Sequence, residues 1–244
     1  MLVGELPKPA GLRDKVSQSP GAMRLLSAAC RYRSWALFSR PSVTPSRWSM
    51  FALTATACRI FPNMTIVQPA DAVAARALAH AAVEFTGPLY IRLHRNPVAD
   101  VYDPESYRFE LGKAHTVLDY GTDLTMIVSG ILLKKAIEAA AILREKGIGA
   151  RVLDMATIKP LDREAVLTAA RETGAILTVE DHTVLGGLGS AVAEVVVQEH
   201  PVPMALVGIQ DRFGESGDPE LIYRNHGMDV DSIVAKAVAL VARK

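Results

Sequence analysis

Cysteine is nearly absent from this chain: Cys30 and Cys58 are the only two in 244 residues. Two such residues make no disulfide framework, so a reducing compartment is the default. No apolar run approaches the ~18 residues that a transmembrane helix needs. A secretory signal is missing too, because charges and prolines fall where a roughly 7–15-residue apolar region should be. The net charge is only +1, which gives no argument for nucleic acid or a membrane surface. His80, His115, His200 and His226 are scattered without metal-ligand spacing and read as structural or surface residues.

The balanced total conceals two unlike parts. Residues 1–60 carry nine Lys/Arg against two acids, Glu5 and Asp14, whereas 61–244 carry 18 basic and 24 acidic residues. Both tryptophans, both cysteines and eight of thirteen serines precede residue 61, and all six histidines follow it. Residues 1–60 show no sustained helical or strand period. Arg31, Arg33, Arg40 and Arg47 interleave with Trp35, Phe38 and Trp48. Three readings are open: an RNA or single-strand binder, an organelle transit peptide, or a leader without a fold of its own, a frameshift or start artefact included.

From Phe61 the pattern becomes regular. Residues 65–67 read as a strand, Asp71 as an N-cap, 72–85 as an alanine-rich helix and 89–93 as the next strand. A parallel pair needs more sheet than this to bury both faces. The chain therefore divides into an atypical leader (1–60), the tail of a domain (61–98), a linker (99–115) and a second domain (116–244). In that domain strands are expected over 116–118, 124–128, 151–154, 175–179 and 204–209. Helices are expected over 131–146, 163–173, 190–199, 219–225 and 230–242, with Asp162 and Asp229 as caps and Gly174 as a stop. Residues 158–161 read as a connection around Pro160. The expected fold class is α/β: a three-layer open sheet with helices on both faces, preceded by a truncated α/β remnant.

Two clusters invite a functional reading. Glu180-Asp181-His182 stands at the expected carboxyl end of a strand, where open α/β sheets place their crevices. The cluster could supply acid–base groups, or it could shape a domain or subunit interface. No serine or cysteine nucleophile motif accompanies it. Gly187-Leu188-Gly189 follows a strand and opens a helix, as in a dinucleotide loop. Val192 holds the third glycine position, and close helix–sheet packing is the plainer account.

The runs PNMTIVQPAD (62–71), GPLYIRLHR (87–95), RVLDMATIKPLD (151–162), TGAILTVEDHTVLGGLGSAVAE (173–194) and GIQDRFGESGDPEL (208–221) resemble the carboxyl-terminal portion of transketolase. The split bacterial form, in which a separate subunit carries this half, is the most similar. 1-Deoxyxylulose-5-phosphate synthase and the β subunits of 2-oxo-acid dehydrogenases share the domain plan. The resemblance implies ketol transfer between sugar phosphates with thiamine diphosphate and Mg²⁺, in the cytoplasm. It implies a pyrimidine-binding-domain remnant over 61–98 and a transketolase carboxyl-terminal domain over 116–244. The family's Gly-Asp-Gly…Asn motif for diphosphate and metal does not occur in this chain, nor does a glutamate in recognisable context to activate the cofactor. The cofactors are thus expected on an N-terminal partner subunit, with none held by this chain alone and no catalytic residue assigned. A homodimer through the carboxyl-terminal domain is also implied, and the simpler alternative is a non-catalytic interaction module. By the same resemblance Arg95 is the candidate for the substrate phosphate, with Arg92 as a second candidate.

Overall fold

Short apolar strands closed by polar turns build two sheets that meet end to end. The computed structural model describes residues 56–94 and 98–244. Readings made on residues 1–55 fall outside these, and so does Arg95.

Strand β1 (Thr65–Val67) is buried throughout, and helix α1 (Ala72–Glu84) follows it. Strand β2 (Leu89–Ile91) runs parallel to β1 and stops two residues short of its expected end. Asp71 caps α1 as expected: its Oδ1 accepts from Ala74 N at 2.7 Å, a cap worth about 1 kcal/mol. Its Oδ2 accepts from the amides of Val101 and Tyr102, at 2.7 and 2.9 Å. One carboxylate therefore ties the segment after β2 to the start of α1. That segment has no regular element over 98–114. Its Tyr102 and Tyr107 are nevertheless buried and stacked, with ring centroids 4.0 Å apart.

The larger unit contains β3 (His115–Asp119), β4 (Leu124–Val128), α2 (Leu133–Glu145), β5 (Ala150–Asp154), β6 (Thr157–Lys159), α3 (Arg163–Thr173), β7 (Ile176–Thr183), α4 (Leu188–Glu199), β8 (Met204–Ile209), α5 (Pro219–Asn225) and α6 (Val230–Val241). Its five-stranded sheet has the order β3-β5-β4-β7-β8. Only β3 is antiparallel to its neighbour. Successive side chains of a strand face opposite ways. Met126 and Val128 accordingly join Leu133, Ala136, Ile233 and Ala237 of α2 and α6 in one core. Ile127 joins Val166, Ala169, Val192 and Val195 of α3 and α4 in the other. This is the three-layer α/β arrangement that the alternation of elements predicts.

Three local expectations change. Ile158 and Lys159, expected as part of a connection, join Thr157 in β6, which pairs antiparallel with β1 and not with the large sheet. The small sheet therefore has the order β2-β1-β6. Strand β7 continues through Glu180, Asp181 and His182, four residues past its expected end. Asp229 occupies the N-cap position of α6, but its side chain makes no capping bond. Asp162 and Gly174 bound α3 as expected, Asp162 accepting from Ala165 N and Gly174 adopting φ +62°.

Candidate functional site

The carboxyl ends of β1, β4, β5 and β7 converge where the two sheets meet. Gln68 N donates to Ala156 O at 2.7 Å, Met155 N to Val128 O at 2.7 Å, and Ser129 N to Val179 O at 3.1 Å. Open α/β sheets usually leave a crevice in this position. Here protein fills it.

Asp181 is the centre of the junction. Its Oδ1 accepts from Gln68 Nε2 at 2.6 Å and from Arg92 Nη1 at 2.5 Å. Arg92 Nη2 also reaches the Asp181 carbonyl at 3.4 Å. Burial alone would raise the carboxyl, yet the Arg92 charge and these hydrogen bonds hold it below the usual carboxylate range. Burial likewise disfavours the Arg92 cation, and Asp181 more than offsets it, so the guanidinium titrates above its ordinary value. The pair links the smaller sheet to the larger one. Gly130 makes room for it: at φ +69° it lies so close to the Gln68 amide that a Cβ would overlap Nε2.

Glu180 and His182 sit one residue to either side, on the opposite face of β7, and both are fully buried. Glu180 Oε2 accepts from Leu188 N at 2.7 Å, and Oε1 from Gly189 N at 2.9 Å. These are unpaired amides of the first turn of α4, which attract negative charge. Burial raises the Glu180 carboxyl, against the opposing effects of His182 and those two amides. His182 Nδ1 lies 3.0 Å from Glu180 Oε2 and 3.0 Å from the Thr183 carbonyl. Two acceptors at that distance place a proton on Nδ1. The glycine run follows from this packing. A Cβ at Gly187 would overlap Glu180 Oε2 and lie 2.6 Å from His182 Cε1, and one at Gly189 would lie 2.8 Å from Thr178 Oγ1. The helix terminus that a dinucleotide would use holds the chain's own carboxylate.

A third buried acid, Asp154, ends β5. Its Oδ2 accepts from Tyr102 Oη at 2.7 Å, and its Oδ1 is buried with no partner among the described residues. Burial raises this carboxyl to about 7, with a further push from Asp71 and against the Tyr102 hydrogen bond. Desolvation by burial, followed by the nearby Asp154 charge, raises the Tyr102 hydroxyl above its ordinary range. Sequence reasoning missed Asp154, Tyr102 and Gln68. Each is a single residue in an apolar or acidic run, with no spacing to mark it.

These residues do not fit thiamine diphosphate or Mg²⁺. The described residues contain no cluster of three or more His, Cys, Asp or Glu able to hold a metal ion. Three buried carboxylates of the junction are turned to the chain's own groups: Asp181 to Arg92, Glu180 to an internal helix terminus and Asp154, through Oδ2, to Tyr102.

A cavity of about 420 Å³ opens beside the junction, lined in part by Ala70, His94, Val101, Lys134, Lys135 and Tyr223. Lys135 is anchored there, 2.6 Å from Glu220 Oε2 and 5.3 Å from the Tyr223 ring centre. Arg95, the first candidate for the substrate phosphate, lies outside the described residues. Arg92, the other candidate, turns to Asp181 in the junction. No helix among the described residues is long and apolar enough to cross a membrane.

Residues 112–233, half of the chain, match the family described as "Transketolase, C-terminal domain". The chain is 46% identical over 185 residues to an apulose-4-phosphate transketolase subunit of Phocaeicola vulgatus, covering 76% of this chain and 59% of that one. It is 42% identical over 186 residues to the 6-deoxy-6-sulfo-D-fructose transketolase subunit SqwH of Clostridium sp., covering 76% and 57%. Among solved structures, a split gene transketolase described as an inactive beta4 tetramer superposes with a TM-score of 0.75 at 43% identity, covering 78% of this chain and 62% of that one. The chain thus spans about three fifths of the length of these two curated relatives. With half its length in that match and the three-layer fold in place, this chain belongs to the transketolase carboxyl-terminal domain family.

Proposed function

We propose that the chain is the carboxyl-terminal component of a split transketolase and takes part in ketol transfer between phosphorylated sugars only together with partner chains. The observation that carries this reading is the 46% identity to a relative that is itself named a transketolase subunit. A second protein of that kind, SqwH, is 42% identical. Thiamine diphosphate and Mg²⁺ belong on the partner side, since the buried acids of this chain are engaged in its own fold. Arg95 is assigned to the substrate phosphate on the strength of the family resemblance, since a guanidinium suits a phosphate in both charge and geometry. The sheet junction and α4 give the chain a rigid frame for contacts with other chains. Self-association is part of the proposal and is supported by the tetramer of the solved relative. The cytoplasm is the proposed location. The domain division at 61–98, 99–115 and 116–244 belongs to the same reading.

The test is reconstitution: the chain is combined with the partner components of a split transketolase and ketol transfer is assayed. Activity should require both sides. The 1-deoxyxylulose-5-phosphate synthase alternative rests on 38% identity to the enzyme of Geobacter sulfurreducens, below that of the two transketolase subunits. It would show itself as pyruvate-dependent product in the same assay.

A further inference from the structure

Residues 98–111 form no regular element, yet they are fastened to both units. Asp71, at the start of α1, accepts from the Val101 and Tyr102 amides at 2.7 and 2.9 Å. Asp154, at the end of β5, accepts from the Tyr102 hydroxyl at 2.7 Å. Two acids on two elements thus hold one tyrosine, Asp71 by its amide and Asp154 by its hydroxyl. Tyr102 stacks on Tyr107, and the His115 ring meets both edge-on, with centroids 5.5 and 5.8 Å away. The far end is secured at Gly112, whose amide donates to Thr157 Oγ1 at 3.0 Å. At the near end Val98, Ala99 and Val101 line the cavity of about 420 Å³ that Lys134 and Tyr223 also line.

The Asp154 anchor depends on a proton. Its Oδ2 has the Tyr102 hydroxyl, while Oδ1 is buried with no partner among the described residues. The groups facing this carboxyl are Tyr102 and Tyr107 from the segment, His115 from β3 and Asp71 from the start of α1. Its neighbour on β4 is the apolar Val128. The Arg92 cation is taken up by Asp181. Burial first, and then the Asp154 charge, raise both tyrosine hydroxyls, so these stay protonated through neutrality. Burial raises the Asp154 carboxyl itself to about 7, and Asp71 pushes the same way. A buried carboxylate with one hydrogen bond and no cation is poorly tolerated. Lifting Tyr102 admits water to both oxygens and removes that penalty.

We propose that residues 98–111 are a proton-held strap: with Asp154 protonated the strap is fastened and completes the cavity wall, and with Asp154 ionised it lifts and the cavity opens. The carboxyl titrates higher in the closed form than in water, so closure takes up a proton. Closure is fully favoured below about pH 4, weakens as pH rises toward 7 and changes little above that.

Hydrogen exchange of the full chain, corrected for the intrinsic pH dependence of amide exchange, reads the strap at Val101 and Tyr102. Their protection should fall about tenfold or more between pH 5 and pH 7 and stay near that level at pH 8. Thr125 and Ser129, bonded to Ala175 and Val179 inside the large sheet, should keep about tenfold or more extra protection at each pH, which marks the opening as local. Asp154→Asn has nearly the same volume and cannot ionise, and it should hold strap protection constant over this range. His115→Gln should leave the pH dependence in place. Should Asp154→Asn fail to fold, Tyr102→Phe keeps the acid and removes the hydroxyl anchor. That variant should lower Val101 protection at pH 5 by about fivefold or more. Wild-type strap protection that stays constant from pH 5 to 7 would overturn the proposal. So would a pH dependence that persists in Asp154→Asn, one that vanishes in His115→Gln, or Val101 protection untouched by Tyr102→Phe. Strap and sheet amides with equal protection at every pH would overturn it too, because the opening would then be global unfolding. None of these readouts involves ketol transfer, so the proposed function stands or falls separately.

Discussion

Arg92 Nη1 lies 2.5 Å from Asp181 Oδ1, and through this one pair the end of β2 in the small sheet is tied to β7 in the large sheet. The side chains are 15% and 4% exposed, so solvent does little to screen them. Removing one partner strands the other charge in a low-dielectric setting, where the cost is about 3–5 kcal/mol.

The first prediction concerns that pair. Asp181→Ala should lower the unfolding free energy by roughly 3 kcal/mol or more. Arg92→Ala should do much the same, and the double variant should cost clearly less than the sum. Denaturant titration of the four proteins is the check. Single losses within the ~0–1 kcal/mol of an exposed pair would contradict the buried clamp.

The second prediction follows from Asp154. Its folded carboxyl titrates at about 7, against 3.8 for the reference group. A raised value means that its stabilising contribution is complete below about pH 4 and is lost as pH rises toward 7. Fully expressed, that shift would be worth about 4 kcal/mol as an upper bound. Asp181 runs the other way: with its carboxyl held low, its contribution is present at neutral pH and is lost as acid protonates it. Between pH 5 and 7 the stability advantage of the wild type over Asp154→Asn should therefore shrink. Unfolding curves at several pH values test this, and a constant difference would contradict it.

The third prediction tests the glycine run. Gly187→Ala inserts a methyl group onto Glu180 Oε2 and beside His182 Cε1 and the Thr183 carbonyl. Two of these atoms belong to fixed structure, so the expected loss is about 1–3 kcal/mol or more. Gly214→Ala, with nothing within 4 Å of the new carbon, is the control and should be near neutral. Equal effects in thermal unfolding would remove the packing account of Gly187.

The fourth prediction separates the two arginines. In the reconstituted enzyme Arg95→Ala should lower kcat/KM for a phosphorylated substrate by roughly tenfold to a hundredfold, the range of a charged hydrogen bond. The unfolding free energy should stay within about 0.5 kcal/mol. Arg92→Ala should show the reverse emphasis, losing stability first. If Arg95→Ala acts equally on phosphorylated and unphosphorylated substrates, the phosphate assignment fails.

Much of the fold could be read from residue pattern. The runs at 65–67, 124–128 and 204–209 have the bounds found in the structure. Apolar runs between capping acids and glycines carry their own punctuation. What escaped was non-local. Strand β6 exists because Thr157 and Lys159 meet β1, some ninety residues earlier. Strand β7 extends through three polar residues because each finds a buried partner that sequence spacing cannot show: α4 amides for Glu180, Arg92 for Asp181, Glu180 for His182. The Glu180-Asp181-His182 cluster therefore stands out in the sequence as chemistry and in the structure as a joint. Of the two readings open for it, the structure favours the interface. The resemblance supplied Arg95 and Arg92, while the Tyr102–Asp154 contact carried no signal in either form of reading.

Reconstitution tests the central claim most directly. The chain is assayed for ketol transfer alone, then with the partner components of a split transketolase, thiamine diphosphate and Mg²⁺. The account predicts turnover of a phosphorylated ketose in the complete mixture and none when any polypeptide is left out. Turnover by the purified chain alone, or a complete mixture no more active than one lacking the chain, would contradict it.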